Sequence, residues 1–280
     1  MRMMFRPYRR TVQVAFFALM FAIPVLNMYE NYTITGTYYA LQVGGLEAAD
    51  PAAILQAVFA SGEFALPILS ALLFPVLLAL ILGRVWCGWM CPYHLLSDGA
   101  FRLRTLFRAK LLGRHETEIL AVPSPLKANF CRYAFLLGGT AAAGVIGIPV
   151  LNFVSAPGIL STEAMILVRQ HALSIEFGFI ATIILLELLF FPRFWCRLFC
   201  PTGACLSLIR APFTLRILSN AKNPKARCCK EDACSAACPM GLAPYREGPD
   251  LLCTNCARCI DACSDGEGSK LLGFKGFFLS

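Results

Sequence analysis

Charge is scarce in this 280-residue chain. Asp, Glu, Lys and Arg make up 15% of it, against 58% hydrophobic residues and a mean hydropathy of +0.64. A soluble domain carries about 25% charged and roughly 45–50% apolar residues, so the apolar excess must lie against something other than a protein core, and lipid is the natural candidate. A disordered chain is excluded by the same figures. No Cys-x-x-Cys-His occurs, which removes covalently attached haem, and glycine-rich phosphate or dinucleotide signatures are also missing. Nothing points to nucleic acid.

What is abundant is apolar runs and cysteine. Crossing a bilayer takes about 20 predominantly apolar residues, and four stretches qualify: Thr11 to Met28, Phe64 to Gly83, Tyr133 to Leu151 and Ala172 to Phe191. The third carries Gly139, Ala143 and Gly147 four apart, a face that another helix can approach closely. Lys and Arg set the orientation. Four fall in the first ten residues, none between Glu30 and Glu63, seven between Arg84 and Phe130, one between Asn152 and His171, and twelve from Pro192 onward. By the positive-inside rule both termini and the central loop face the cytoplasm, and the formal charge of +8 is a topology signal.

The chain also repeats itself. Arg84-Val85-Trp86-Cys87-Gly88-Trp89-Met90-Cys91-Pro92 returns as Arg193-Phe194-Trp195-Cys196-Arg197-Leu198-Phe199-Cys200-Pro201, offset by 109 residues. Each R-x-W-C-x3-C-P element closes an out-and-back helix pair, so the membrane part reads as a parallel duplication. If helix continues through the elements, each pair of thiols shares one face at i and i+4, with Pro92 and Pro201 ending that helix or opening the next. The axis between the halves would bring Cys87, Cys91, Cys196 and Cys200 together as a sulfur site for an iron–sulfur cluster or zinc. Two separate redox-active dithiols, or cysteines merely packed as small apolar residues, are the competing readings. Trp86, Trp89 and Trp195 are expected as interfacial anchors.

Fourteen cysteines in short-spaced sets predict metal thiolates rather than cystines. Eight of them fall between Cys228 and Cys263. Cys253-x2-Cys256-x2-Cys259-x3-Cys263 has the spacing by which a bacterial ferredoxin loop wraps a cubane, three thiolates on one cluster and the fourth on the other. The earlier run is irregular: Cys228, Cys234 and Cys238 keep register, but Glu231 stands at the second ligand position and Cys229 is extra. Either Cys229 substitutes, or Glu231 or Asp232 supplies oxygen, or that cluster is incomplete. With Cys229, two [4Fe-4S] clusters are complete: Cys228, Cys229, Cys234 and Cys263 hold one, and Cys238, Cys253, Cys256 and Cys259 the other.

Four helices, two C-x3-C-P elements and a tail with two ferredoxin-type runs together resemble the NapH/MauN family of membrane ferredoxin-type proteins, over nearly the whole chain. Arg9-Arg10-Thr11-Val12-Gln13 and Ala49-Asp50-Pro51 look like that family as well. More distantly, the membrane core is similar to those of NosR, a regulator of nitrous oxide respiration, and CcoG, a copper-oxidase assembly factor. The resemblance implies an all-α membrane protein of the bacterial inner membrane: four transmembrane helices as two repeated pairs over residues 1–215, and a small cytoplasmic bacterial-ferredoxin-like domain over 216–280. It further implies oxidation of quinol from the quinone pool, with electrons passed to a ferredoxin-type or cytochrome c redox partner. Likeness to CcoG implies instead a maturation factor that handles or reduces metal for a respiratory enzyme. Glu231, and Ser264 where a proline often follows the last cysteine, depart from the pattern.

Quinol oxidation needs a proton acceptor beside an apolar slot. His94 and Asp98, one and two turns beyond Cys91, are the candidates, since histidine titrates near neutral pH. Glu187, deep in the fourth apolar stretch, is a candidate for a proton route, because ionisable groups at membrane depth usually face a bundle interior or a watery path. Metal stoichiometry separates the cluster readings: iron and sulfide analysis of anaerobically purified protein gives about eight irons per chain if the tail alone is loaded, and about twelve if the membrane thiols hold a third cubane.

Overall fold

A computed structural model describes residues 5–29, 34–62, 66–112, 123–189, 193–219, 233–244, 250–262 and 272–276. The first half contains α1 (Phe5–Met28), an antiparallel meander of β1 (Ile34–Thr37), β2 (Ala40–Val43) and β3 (Leu46–Ala49), then α2 (Pro51–Ser61) and α3 (Leu66–Leu82), a π-helical turn at Trp86–Met90, and α4 (Pro92–Leu112). The second half follows the same plan: α5 (Pro125–Ile146), a 3-10 turn at Val150–Val154, α6 (Ala156–Gln170), α7 (Glu176–Leu189), α8 (Phe194–Leu198) and α9 (Pro201–Leu208). Thus α5 repeats α1, α6 repeats α2, α7 repeats α3, α8 repeats the π turn, and α9 repeats α4. Beyond them lie β4 (Arg216–Ser219), α10 (Ala233–Ala236), α11 (Arg258–Ala262) and β5 (Leu272–Lys275), with β4 and β5 paired antiparallel.

Local chemistry sets these boundaries. Asp50 caps α2, accepting from the amides of Ala52 at 3.0 Å and Ala53 at 3.1 Å, with Pro51 in the first turn where its missing N–H costs nothing. Ser124 and Pro125 open α5 in the same way. Gly62 and Gly147 end α2 and α5 at φ 68° and 74°, a left-handed conformation that glycine adopts without strain.

The segments expected as outward loops are structured and turn back into the bundle, so the fold is mostly helical rather than all-α. In the meander Ile34 pairs with Val43, and Ala40 with Ala49. Its tip, Tyr38-Tyr39, reaches the far end of the repeat elements: Tyr38 Oη donates to Met90 O at 3.0 Å, and Tyr39 Oη lies 2.6 Å from both Ser155 Oγ and Thr202 Oγ1. Strands of four residues, Ile-Thr-Gly-Thr, Ala-Leu-Gln-Val and Leu-Glu-Ala-Ala, carry no clear alternation, which is why sequence patterning passes over them. Among the described residues α1 is the single helix long and apolar enough to cross a membrane by length and composition, whereas α3 and α7 have 17 and 14 residues.

The core joins both halves. Met20 and Ile23 of α1, Tyr93 of α4, Ile159 of α6, Ile180 and Ile183 of α7, and Trp195 form one buried cluster. The small-residue face of α5 is used in part: a Cβ on Gly139 would stand 2.2 Å from Leu151 Cδ2 in the 3-10 turn and Ala143 is fully buried, but Gly147 ends the helix with open space beside it. Outside, Leu73, Phe74, Leu77, Leu137, Val145, Leu185 and Leu189 are exposed. These side chains give α3, α5 and α7 exposed apolar faces.

One ion cluster ties the parts together. The buried Asp98 carboxylate of α4 meets Arg193, which precedes α8, Arg258 of α11 at 2.5 Å and Arg9 of α1 at 3.8 Å. Burial opposes its ionisation, but Arg193, His94, Arg258 and Arg9 hold this carboxyl well below the usual carboxylate range. A depressed folded-state pKa contributes stability that is present above the unfolded value of about 3.9 and fades as pH falls through the folded one. Asp98→Asn strands three cations, and the loss of one buried partner costs about 3–5 kcal/mol. Thermal unfolding in detergent is therefore expected to shift to clearly lower temperature in this variant, and the wild type is expected to lose stability only in the acid range below about pH 4.

Candidate metal centres

The two C-x3-C-P elements place their thiols in a way that continuous helix would not. Proline disfavours the helical region for the residue before it, and both Cys91 and Cys200 are extended, at φ −65°, ψ 121° and φ −59°, ψ 112°. Each element therefore breaks. Cys87 and Cys196 sit in a short helical turn, while Cys91 and Cys200 sit at the head of the next helix, opened by Pro92 or Pro201. Cys200 Sγ accepts from the amide of Gly203 at 3.4 Å. Sulfur at a helix start faces free N–H groups and the positive end of the helix dipole, a setting that favours thiolate.

The thiols of the two halves face one another. Burial, followed by the neighbouring Cys87 and Cys200, pushes the Cys91 thiol up to about 12. Burial and Cys87 push Cys200 to about 12 as well. Cys196 is raised by burial and then by Cys200, Glu187 and Cys91. Burial and neighbouring sulfur thus favour the protonated form of Cys91, Cys196 and Cys200, and a bound cation would offset that cost. Among the described residues no three His, Cys, Asp or Glu side chains stand close enough to hold a single metal ion. A cubane makes a different demand, one thiolate for each iron corner, and a ring of four facing thiols suits it.

A second quartet lies in the tail. Cys238, Cys253, Cys256 and Cys259 line one small cavity with Ile217, Met240 and Leu242. Burial, then Cys256, raises Cys238 to about 12; burial raises Cys253 to about 11; and Cys259 is raised by burial, Cys256, Cys253 and Cys238 in turn. This is the set expected to hold the second tail cluster. Of the other set, Cys234 is buried in α10, and Cys228, Cys229 and Cys263 lie outside the described residues, as do Glu231 and Asp232.

The quartets are neighbours. Arg84 Nη1 donates to Leu251 O at 2.7 Å while its Nη2 stands 3.9 Å from Cys87 Sγ. Trp89 Nε1 donates to Asn255 O at 2.9 Å, and Asn255 Nδ2 donates to Leu82 O at 3.1 Å and to Leu215 O at 2.7 Å. Arg84 acts electrostatically on both Cys200 and Cys253, and Arg193 is influenced by both Cys196 and Cys256. The arginines that open the two repeats thus each stand between a core thiol and a tail thiol. Of the tryptophans, Trp195 is buried and Trp86 and Trp89 are half-buried. Trp86 stacks on Tyr38 with centroids 5.5 Å apart, Trp89 holds the tail, and Trp195 packs against Phe135, Phe179 and Phe199.

The three residues expected to handle protons lie apart from open space. Asp98 is held by its arginines. His94 is buried, with its backbone carbonyl accepting from Arg193 Nη1 at 3.0 Å. Glu187 accepts from Tyr93 Oη at 2.9 Å, from Ser97 Oγ and from the Trp195 amide at 3.4 Å, which clamps α7 to α4 and to the start of α8. The polar groups that do border a sizeable cavity are Asp50, Tyr38, Tyr39 and Thr202. The hairpin fold-back that assembles them left no periodic signal in the sequence.

A bundle with a duplicated cysteine element and a docked ferredoxin-like tail defines an iron–sulfur protein. The family model for a 4Fe-4S binding domain matches residues 64–114 and 173–218, once on each repeat, so it covers the core thiols. The chain is 30% identical over 207 residues to an uncharacterized protein of Methanocaldococcus jannaschii, covering 71% of this chain and 77% of that one. It is 25% identical to the methylamine utilization ferredoxin-type protein MauN of Methylorubrum extorquens, over 94% of this chain and 79% of that one. With the ferredoxin-type protein NapH of Haemophilus influenzae it shares 26% identity, over 92% and 86%. The chain belongs to the NapH/MauN family of ferredoxin-type proteins. No solved structure matches it.

Close docking of the tail requires Gly88, because a Cβ there would stand 2.4 Å from Thr254 O. Gly88→Ala forces the backbones apart, at a cost of about 1–3 kcal/mol. Limited proteolysis is expected to show faster cleavage between residues 250 and 262 in this variant than in the wild type.

Proposed function

We propose that this protein is a multi-pass membrane electron carrier of the bacterial inner membrane that oxidises quinol and passes the electrons through [4Fe-4S] clusters to a soluble or membrane-bound redox partner. The observation that carries the reading is the contact between the two thiol quartets: Cys87, Cys91, Cys196 and Cys200 lie at the inner ends of the repeats, and the Cys253–Cys259 run is docked on them through Arg84, Gly88 and Trp89. The exposed apolar faces of α3, α5 and α7 and the distribution of Lys and Arg support four spans with both termini in the cytoplasm.

In this reading Cys87, Cys91, Cys196 and Cys200 hold one cubane and Cys238, Cys253, Cys256 and Cys259 a second. Cys228, Cys229, Cys234 and Cys263 are the proposed ligands of a third. Such clusters exchange single electrons. The protein's own part is to fix the two quartets side by side, to exclude water by burying Cys91 and Cys200, and to place the Arg84 and Arg193 guanidiniums where negative charge accumulates. Glu187 positions the second element by holding the Trp195 amide. A ferredoxin-type or cytochrome c partner would take electrons from the tail.

The test uses anaerobically purified full-length protein. Addition of a quinol analogue is expected to produce the electron paramagnetic resonance signals of reduced clusters. Replacing all four core cysteines by serine is expected to lower iron by about four per chain and to abolish reduction by quinol while leaving the tail reducible by dithionite. Reduction by quinol that persists in that variant would overturn the route. Metal binding confined to the core thiols, with no response to quinol, would favour the metal-handling reading.

A further inference from the structure

An apolar cavity of about 290 Å³ lies between α1, the β1–β2 hairpin and α3. Its walls include Phe16, Leu19, Phe74 and Ala79, and of these Leu19 and Phe74 are also exposed on the outer surface, at 37% and 58%. The mouth therefore opens between α1 and α3, toward the side that the spans would present to lipid. The inner end is polar. Asp50 is buried there beside the Tyr39 hydroxyl, which is held by Ser155 and Thr202, and Tyr38 lies over Trp86 as a flat aromatic wall. Trp86 and Met90 each immediately precede a core thiol, Cys87 or Cys91, and Thr202 follows Cys200 by two residues.

We infer that this cavity binds the ring of a lipid-borne quinol, with a ring hydroxyl donating to the Asp50 carboxylate and the isoprenoid chain leaving between Leu19 and Phe74. The inference rests on the quinol reading above and places its substrate. The chemistry of the walls selects the ligand class. An acyl chain has no use for a buried carboxylate and two tyrosine hydroxyls, whereas a hydrophilic aromatic has no use for the apolar passage; a quinol needs both. A ligand pocket of this kind, apolar with a few convergent polar groups, is where a small molecule is held and oriented. The ring would sit against Trp86, one residue from Cys87. Neither His94, Asp98 nor Glu187 borders this space.

Anaerobic binding of decylubiquinol to the dithionite-reduced full-length protein in detergent, followed by calorimetry and by quenching of tryptophan fluorescence, tests the placement. Two variants carry the decision. Ala79→Phe fills the cavity from a buried position on α3, and Asp50→Asn removes the charge while keeping a good cap for α2. The expected results are saturable binding to wild type, a dissociation constant raised at least tenfold by Ala79→Phe and about tenfold by Asp50→Asn, the latter reflecting loss of one charge-assisted hydrogen bond, with thermal stability and iron content unchanged. Trp86→Phe is expected to remove most of the quenching without removing the calorimetric signal. Wild-type protein that holds its iron yet binds no quinol would sink the quinol reading itself. Binding that survives both Ala79→Phe and Asp50→Asn would leave that reading standing and overturn this site, and binding lost only in Ala79→Phe would overturn the role of Asp50.

Discussion

Gathering cysteine sulfur inside an apolar bundle is the constraint around which this molecule is arranged. A buried thiolate is costly unless positive charge or hydrogen-bond donors meet it. Here the compensation comes from backbone and from arginine. Helices α4 and α9 start at Cys91 and Cys200, while α2 and α6 start at Asp50 and Ser155, which meet Tyr39 and Thr202 beside them. Four helix starts, each with a positive dipole end, thus converge on one region, and two of them spend amides on Asp50 and on Cys200 Sγ. Arg84 and Arg193 add full charges on the side where the tail docks.

Prolines make that convergence possible. Pro51, Pro92, Pro157 and Pro201 each stand in the first turn of their helix, where a missing N–H is harmless. The short helices α2 and α6 are covered by the rest of the bundle, α2 by α5 and α9, and α6 by α1. Glu187 and Asp98 are charges of another kind, spent on holding α7, α4, α8 and α11 in place.

Much of this was legible in the sequence, and for physical reasons. The constant offset between the two R-x-W-C-x3-C-P elements carried the duplication, and the same offset separates the two matched stretches of the family model. The spacing of Cys253, Cys256 and Cys259 carried the tail site, because few other structures need three thiols so close. What could not be read was long-range. A dipeptide such as Tyr38-Tyr39 gives no sign that it sits at a hairpin tip meeting Met90 and Thr202, and Asp50 reads as an ordinary helix cap until the cavity beside it is seen. The partners of Asp98 were hidden for the same reason: its three arginines come from α1, the start of α8 and α11, far apart in the chain.

The inner end of α1 is clasped by the tail. The Phe5 amide donates to Asp261 Oδ1 at 2.8 Å, the Phe5 ring meets Phe274 edge-on at 5.5 Å, and Arg9 Nη1 donates to Cys256 O across 247 positions of sequence. A helix that leaves the ribosome early thus gains its final partners only when a much later segment has been translated. Loss of that later segment would strip the start of α1 of its ring contact and of both hydrogen bonds at once.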